Sequence, residues 1–378
     1  KNASQLFGCP TVYSTEGSSL AIRAMLYLAY TQAGCKGRCL VGRNAHKSFL
    51  YAAMLLDFPI RWLRAGNNYL SCSVSAEAVE TAVLEMSEKP FAVFLTSPDY
   101  LGNISDIHRI SETCRKYGIP LLVDNAHGAY LKFLPSSQHP MDLGADMCCD
   151  SAHKTLPVLT GGAYLHFRDP RMADRIKGAM ALFGSTSPSW LILQSLDAAN
   201  PYLERLPDTS AAPTYCIAAL KKALLKHGFS LIGDEPWKLT LCAAKWGYSG
   251  AEIASLLEQV NIFCEFADQD FIVFMLTPQN TSEQLKFLQK TLCEIPKREP
   301  KPEVSLPSAK PEVVCSPHQA AFALQERIPI EHSLGRVLAD ANVSCPPAVP
   351  IVMCGERIDK TMQEALHRFG VEWVTVVK

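Results

Sequence analysis

Two kinds of apolar segment alternate between residues 16 and 167. The first kind repeats at helical spacing. It includes EGSSLAIRAMLYLAYTQAG (16–34), HKSFLYAAMLLD (46–57), SAEAVETAVLEMSEK (75–89) and NISDIHRISETCRKYG (103–118). Ser18 or Ser19 is placed to cap the first of these, and Gly34 and Gly118 to end the first and last. The second kind is short and apolar at nearly every position: RCLVG (38–42), IRWL (60–63), FAVFLTS (91–97), IPLLVD (119–124), DMCCDS (146–151) and GAYLHF (162–167). Strands buried on both faces read this way, whereas half-exposed strands alternate. The pattern predicts an α/β fold, with a mostly parallel sheet between two layers of helices.

Beyond residue 200 the pattern changes to longer helices and fewer strands. APTYCIAALKKALLKHG (212–228), KLTLCAA (238–244), SGAEIASLLEQV (249–260) and FIVFML (271–276) predict a smaller α/β domain. PKREPKPEVSLPSAKPE (296–312) is dense in proline and charge and reads as a linker. The expected division is a large domain over 1–200, a small α/β domain over 201–295, the linker over 296–312 and a C-terminal domain over 313–378. The last contains a predicted helix, SPHQAAFALQE (316–326), and a proline-bearing run, SCPPAVPIVMCGERI (344–358).

The chain has 378 residues, 48% apolar and 19% charged, with a formal net charge of -1. This balance gives no reason to expect nucleic acid or a membrane as partner, and no apolar run is long enough to span one. The 14 cysteines are scattered, several within apolar runs. They read as reduced, mostly buried thiols, which favours the cytoplasm. Cys35 and Cys39 alone have ligand-like spacing, with no second pair to complete a zinc site, so no metal centre is expected.

Ligands of a parallel sheet bind beyond the carboxyl ends of its strands. Polar residues gather there: Arg43 and His46 after one strand, Thr96 and Ser97 after another, Asp124 after a third, and Ser151, His153 and Lys154 after a fourth. Taken singly, such an aspartate is a cap or loop residue and such a lysine is solvated. Their coincidence on one edge points to a site. A lysine among small and apolar residues loses solvation, so its pKa falls and its amine becomes a usable nucleophile. An amine with a buried carboxylate suits pyridoxal 5'-phosphate (PLP), which binds lysine as a Schiff base and pairs its ring nitrogen with an acid. The STEGSSLAI segment offers the phosphate a helix start, with Gly17 allowing close approach and Ser18 and Ser19 supplying hydroxyls.

At these residues the chain resembles a known family. RNAHKSFLYAAMLLDFPIRWL, VFLTSPDYLG, LLVDNAHGAY and GADMCCDSAHKTLPVLTGGAYLHF resemble the bacterial ornithine/lysine/arginine decarboxylases, PLP enzymes of the aspartate-aminotransferase type (fold type I). The likeness continues through STSPSWLILQSLD, KLTL and GYSGAEIASLLE and ends in CPPAVPIVMCGERI. It implies decarboxylation of lysine, ornithine or arginine to a diamine or agmatine. By position, Lys154 carries the cofactor as a Schiff base and Asp124 pairs with the ring nitrogen. Ala126 packs on one ring face and His46 stacks on the other. His127 lies near the ring hydroxyl or substrate carboxylate. Ser151 and His153 join Gly17, Ser18 and Ser19 around the phosphate. Thr186 or Ser187 reaches the phosphate of a neighbouring subunit, so a homodimer or larger homo-oligomer with shared sites is implied.

The chain departs from that pattern in places. Family members carry several dozen residues before the point where this chain starts, so either an N-terminal segment is missing or this is a short form. Glu16 stands where asparagine is usual, Asn125 and Tyr130 replace an acid and a second histidine, and Cys345, Ala348 and Cys354 replace tyrosine, glycine and proline. Two other readings remain open. One is an aminotransferase or lyase, for which Arg357 is the nearest candidate carboxylate-binding arginine. The other is a silent relative that binds PLP or a partner as a regulator. The distal charge of a basic substrate calls for an acid, with Glu356, Asp359 and residues of a neighbouring subunit as candidates.

Overall fold

The structure, a computed structural model, describes residues 2–63, 72–302, 311–341 and 349–378. Cys345 and Ala348 lie outside the described residues. The helices are α1 (Ala3–Phe7), α2 (Gly17–Gln32), α3 (Lys47–Leu56), α4 (Ala76–Leu84), α5 (Ile107–Lys116), α6 (Ala152–Thr155), α7 (Ala173–Phe183), α8 (Trp190–Ala198), α9 (Asn200–His227), α10 (Gly250–Glu258), α11 (Ser282–Glu294), α12 (Pro317–Phe322) and α13 (Lys360–Arg368). The strands β1 (Thr11–Ser14), β2 (Cys39–Gly42), β3 (Ile60–Leu63), β4 (Ala92–Thr96), β5 (Leu121–Asp124), β6 (Met147–Asp150) and β7 (Ala163–Phe167) form one sheet in the order β1-β7-β6-β5-β4-β2-β3. Strands β3, β2, β4, β5 and β6 pair in parallel, while β7 runs against both β6 and β1.

The continuous apolar strands are explained by two cores. Cys39, Val41, Ala92, Phe94 and Leu122 face α2, α3 and α7, whereas Leu40, Val93, Leu95, Leu121 and Val123 face α4 and α5. Successive side chains of each strand thus enter opposite layers, so every position is apolar. Helix α2 is the main support of the first layer. It buries Leu20, Ile22, Met25, Leu26 and Leu28, each contributing about 1.5–3 kcal/mol by removal from water.

Four details differ from the sequence reading. Ser18 and Ser19 lie inside α2, whose N-cap is Glu16 with no side-chain cap bond. Helix α9 begins at Asn200 rather than Ala212 and contains Pro207 and Pro213, residues that normally interrupt a helix. The predicted helix over 316–326 stops at Phe322. The chain then enters β12 (Gln325–Pro329), which pairs with β13 (Trp373–Val377). The proline-rich stretch starts pinned rather than loose: the Tyr248 hydroxyl donates to the Pro296 carbonyl (2.9 Å), Arg298 lies over the Tyr248 ring (4.0 Å) and Lys301 pairs with Glu252 (2.7 Å).

The smaller sheet, in the order β10-β11-β9-β8, is antiparallel: β8 (Leu231–Ile232), β9 (Lys238–Cys242), β10 (Phe266–Ala267) and β11 (Phe271–Met275). The C-terminal residues dock on α3. His318 bonds the Met54 carbonyl, and Met54, Ala320 and Cys354 form a small apolar cluster. Every described cysteine is a free thiol. Among the described residues no helix is long and apolar enough to cross a membrane.

Candidate active site

The carboxyl ends of β2, β4, β5 and β6 open onto a cavity of ≈ 170 Å³. Its wall includes Ser18, Asn44, His46, Thr96, Asp99, Tyr100, Asp124, Ala126, His127, Lys154 and Pro350. Residues far apart in sequence, read from strand ends alone, therefore share one chamber.

Asp124 ends β5, between Thr96 of β4 and Cys149 of β6, and is only 2% exposed. Its Oδ1 accepts from the Ala126 amide (3.1 Å) and the Cys149 thiol (3.7 Å). Burial pushes its pKa up, opposed by the charges of His46 and Lys154. Lys154 sits on the one-turn helix α6, with Nζ 3.3 Å from His127 Nε2. Burial lowers its pKa, Asp124 opposes that shift and the cation of Lys238 adds to it. His46 caps α3, its Nδ1 accepting from the Ser48 amide (3.3 Å), and the Ser48 hydroxyl bonds Ser19 Oγ (2.7 Å). Burial also lowers the His46 pKa. Lys154 and His46 keep accessible surface toward the cavity, yet crowding by protein atoms is the largest influence on both. His127 is pushed well below the usual histidine range, first by burial and then by Lys238 and Lys154.

The phosphate-type elements assemble at the start of α2. Gly17 has φ +69°, and a Cβ there would meet nothing within 4 Å, which leaves open space in front of the first turn. Its own N–H donates to the Gly161 carbonyl (2.7 Å), so the next amides of the turn are the ones left for an anion. Ser151 Oγ donates to Ser18 Oγ (2.8 Å). The Ser19 hydroxyl is turned to Ser48, and His153 Nδ1 to the Gly162 carbonyl (3.0 Å). Glu16 points away from this corner, its Oε1 accepting from the Ser185 amide (2.6 Å). Thr186 and Ser187 are exposed and outside the cavity of their own chain.

Several other expectations change. Glu356 is not free for a substrate: it is 2% exposed and clasps Arg43 through both oxygens (2.5 and 2.6 Å). Asp359 caps α13 through the Met362 amide (2.8 Å). Arg357 is held by Glu312 and the Gly335 carbonyl. Tyr130 stacks on Trp237 (4.0 Å) and donates to Glu235 (3.1 Å), joining the large sheet to the small one. Asn125 is buried and its Nδ2 donates to Asp150 Oδ1 (2.7 Å); an acid there would face another carboxylate. Tyr100 was not picked out from the sequence, nor was a buried cluster of His139, Asp150 and His166. The only signal for that cluster was a histidine inside an otherwise apolar strand.

The donor set fits PLP. The cavity wall carries an amine, a buried carboxylate, the small side chain of Ala126 and the Ser18 hydroxyl of the first turn of α2. It also leaves two buried polar atoms, Thr96 Oγ1 and His127 Nδ1, without partners. An α/β enzyme of PLP fold type I is the class that this sheet and site define. Solved structures share that fold. A lysine decarboxylase of Francisella novicida superposes with a TM-score of 0.78 at 16% identity, covering 99% of this chain and 71% of that one. By sequence, the model of the Orn/Lys/Arg decarboxylase major domain matches residues 1–224 and that of the C-terminal domain residues 303–371. The uncharacterized protein YaaO of Bacillus subtilis is 31% identical over 97% of this chain and 80% of its own length. An arginine decarboxylase of the same organism is 29% identical over 94% and 77%. The chain belongs to the Orn/Lys/Arg decarboxylase family. It is a PLP-dependent decarboxylase of basic amino acids.

Proposed function

We propose that the chain decarboxylates arginine to agmatine, with Lys154 as the residue that holds the cofactor. The observation that carries this reading is the placement of Lys154, Asp124, His46 and His127 on one cavity. The full-length relatives named as arginine decarboxylases favour arginine over lysine.

Bound PLP supplies an electron sink for the pair left behind when the carboxylate departs as CO₂. The residues of the chain do the rest. The lowered pKa of Lys154 makes its neutral amine accessible. Asp124 would pair with the ring nitrogen, its carboxylate favoured by the nearby charges of His46 and Lys154 against the effect of burial. His46 and Ala126 would hold the ring, and the first turn of α2, with Ser18 and Ser151, would hold the phosphate. Lys154 and His127, 3.3 Å apart, are the pair placed to move a proton to the substrate carbon.

The far end of the substrate needs a carboxylate. With Glu356 and Asp359 engaged elsewhere, Glu265 takes that role in this reading. Its charge is felt at Lys154 and at Tyr100, whose hydroxyl is pushed up to about 12 by burial and then by Glu265. An aminotransferase reading loses support because Arg357 is already paired. We also read the chain as a cytoplasmic homo-oligomer. Trp190 (80% exposed) and Leu191 (70%) form an apolar face beside Thr186 and Ser187, which suits a second copy and a shared phosphate site. Carboxyl-labelled arginine, lysine and ornithine, supplied separately with PLP, test the reading. Labelled CO₂ with agmatine as the preferred product is expected. Release from lysine or ornithine in preference to arginine overturns it.

A further inference from the structure

We propose that Asp150, held as an anion by imidazolium His166 and neutral His139, is a positioning residue that fixes the Asp124 turn through Asn125. The three residues are fully buried and lie behind the cavity, outside its lining. Asp150 Oδ2 meets His139 Nε2 (3.1 Å) and His166 Nε2 (3.0 Å), and Oδ1 accepts from Asn125 Nδ2 (2.7 Å) and from the Cys148 thiol (3.7 Å). A carboxylate offers about four acceptor sites, so these donors fill it.

Counting protons assigns the charges. The Met141 amide donates to His139 Nδ1 (3.3 Å), so the His139 proton is on Nε2 and that ring is neutral. Thr11 Oγ1 lies 3.1 Å from the Cys9 carbonyl and 2.9 Å from His166 Nδ1, and we assign its one hydroxyl proton to the carbonyl. His166 Nδ1 therefore donates to Thr11 Oγ1 (2.9 Å) while Nε2 donates to Asp150. Both ring nitrogens carry protons, and the imidazolium balances the carboxylate. The direction of titration agrees for His166, which the Asp150 carboxylate raises against the effect of burial. The groups facing His166 are Cys9, Thr11, Asp150, His139 and the rings of Phe7 and Tyr164. A metal ion would need the lone pairs of both Nε2 atoms, and the Met141 amide leaves His139 without one.

The carboxylate joins two turns of the cavity wall. Asn125 stands between Asp124 and Ala126, with its amide bonded to the Cys149 carbonyl (2.9 Å) and its carbonyl accepting from Gly128 (2.8 Å). A Cβ at position 128 would come within 2.0 Å of Asn125 Oδ1, so glycine there leaves room for the amide that reaches Asp150. Asp150 itself precedes Ser151, which bonds Ser18 at the phosphate corner. One buried charge thus sets the carboxylate turn and the phosphate turn relative to each other.

The proposal rests on the Asp124 role given above, and ring-nitrogen NMR of the apo chain tests it without that role. At roughly pH 7 the spectrum is expected to show His166 protonated on both nitrogens and His139 on one. In Asp150→Asn, His166 loses its second proton. Asn125→Ala keeps the His166 signature while the affinity of the apo chain for PLP falls about tenfold, the effect of losing a buried hydrogen bond to a charged group. A neutral His166 in the unmodified chain overturns the charge assignment. Unchanged PLP affinity in Asn125→Ala overturns the positioning role but leaves Asp124 standing. Stoichiometric zinc binding by the apo chain, abolished by His139→Gln, overturns both the charge assignment and the argument against a metal.

Discussion

Replacing Glu356 by alanine isolates the contact that ties the C-terminal residues to the large sheet. The Arg43 guanidinium is 3% exposed and Glu356 2% exposed. Arg43 donates to both carboxylate oxygens and to the Ile351 carbonyl (3.3 Å), and the Met353 amide donates to Glu356 Oε2 (2.8 Å). Alanine leaves a desolvated cation and an amide without its acceptor. Removing one partner of a buried pair costs about 3–5 kcal/mol, because the remaining charge is uncompensated. The double variant Arg43→Met, Glu356→Leu removes both charges and keeps the volume, so it is expected to recover most of that loss. Urea unfolding of the three proteins at one fixed concentration measures the differences, since oligomerisation adds to apparent stability. Cofactor retention is expected to fall with Glu356→Ala as well, because Arg43 is followed directly by the Asn44–His46 wall of the cavity. A loss below about 1 kcal/mol for Glu356→Ala, or a double variant weaker than the single, refutes the reasoning.

Two further outcomes are expected. Glu265→Gln should raise KM for arginine about tenfold with a smaller change in kcat, since a charge acting on the substrate's far end binds the ground and transition states alike; equal KM values contradict the assignment. Stability of the apo chain should decline on the acid side. His127 and His46 have folded pKa values below the unfolded value near 6.5, so their contribution is complete above about pH 6.5 and is lost as pH falls through the folded values. His127→Asn should make that acid-side slope shallower, and a slope identical to the parent's contradicts the burial argument.

The fold was largely legible because its strands are buried on both faces, which writes the sheet as unbroken apolar runs such as LLVD and MCCD. Lys154, Asp124 and His46 were legible because each follows such a run. What failed was local grammar overruled by packing. The predicted helix began at Ala212, yet α9 starts at Asn200 and runs through Pro207, with Leu203, Leu206 and Ile217 buried along it. Ser18 or Ser19 read as the cap, but the N-cap is Glu16, two residues before Ser18. Glu356 read as a substrate ligand because its partner, Arg43, lies 313 residues away in sequence. No periodicity reports such a pair. The same holds for Asp150, whose histidines come from a loop and from the antiparallel strand β7.

The central claim is that the cofactor is carried by the amine at position 154 beside the acid at 124. Incubating the chain with PLP, reducing with borohydride and mapping the modified peptide by mass tests it most directly. The account predicts one cofactor per chain, fixed on Lys154 and absent from Lys154→Ala. Cofactor fixed on another lysine, or an equal yield in Lys154→Ala, contradicts it.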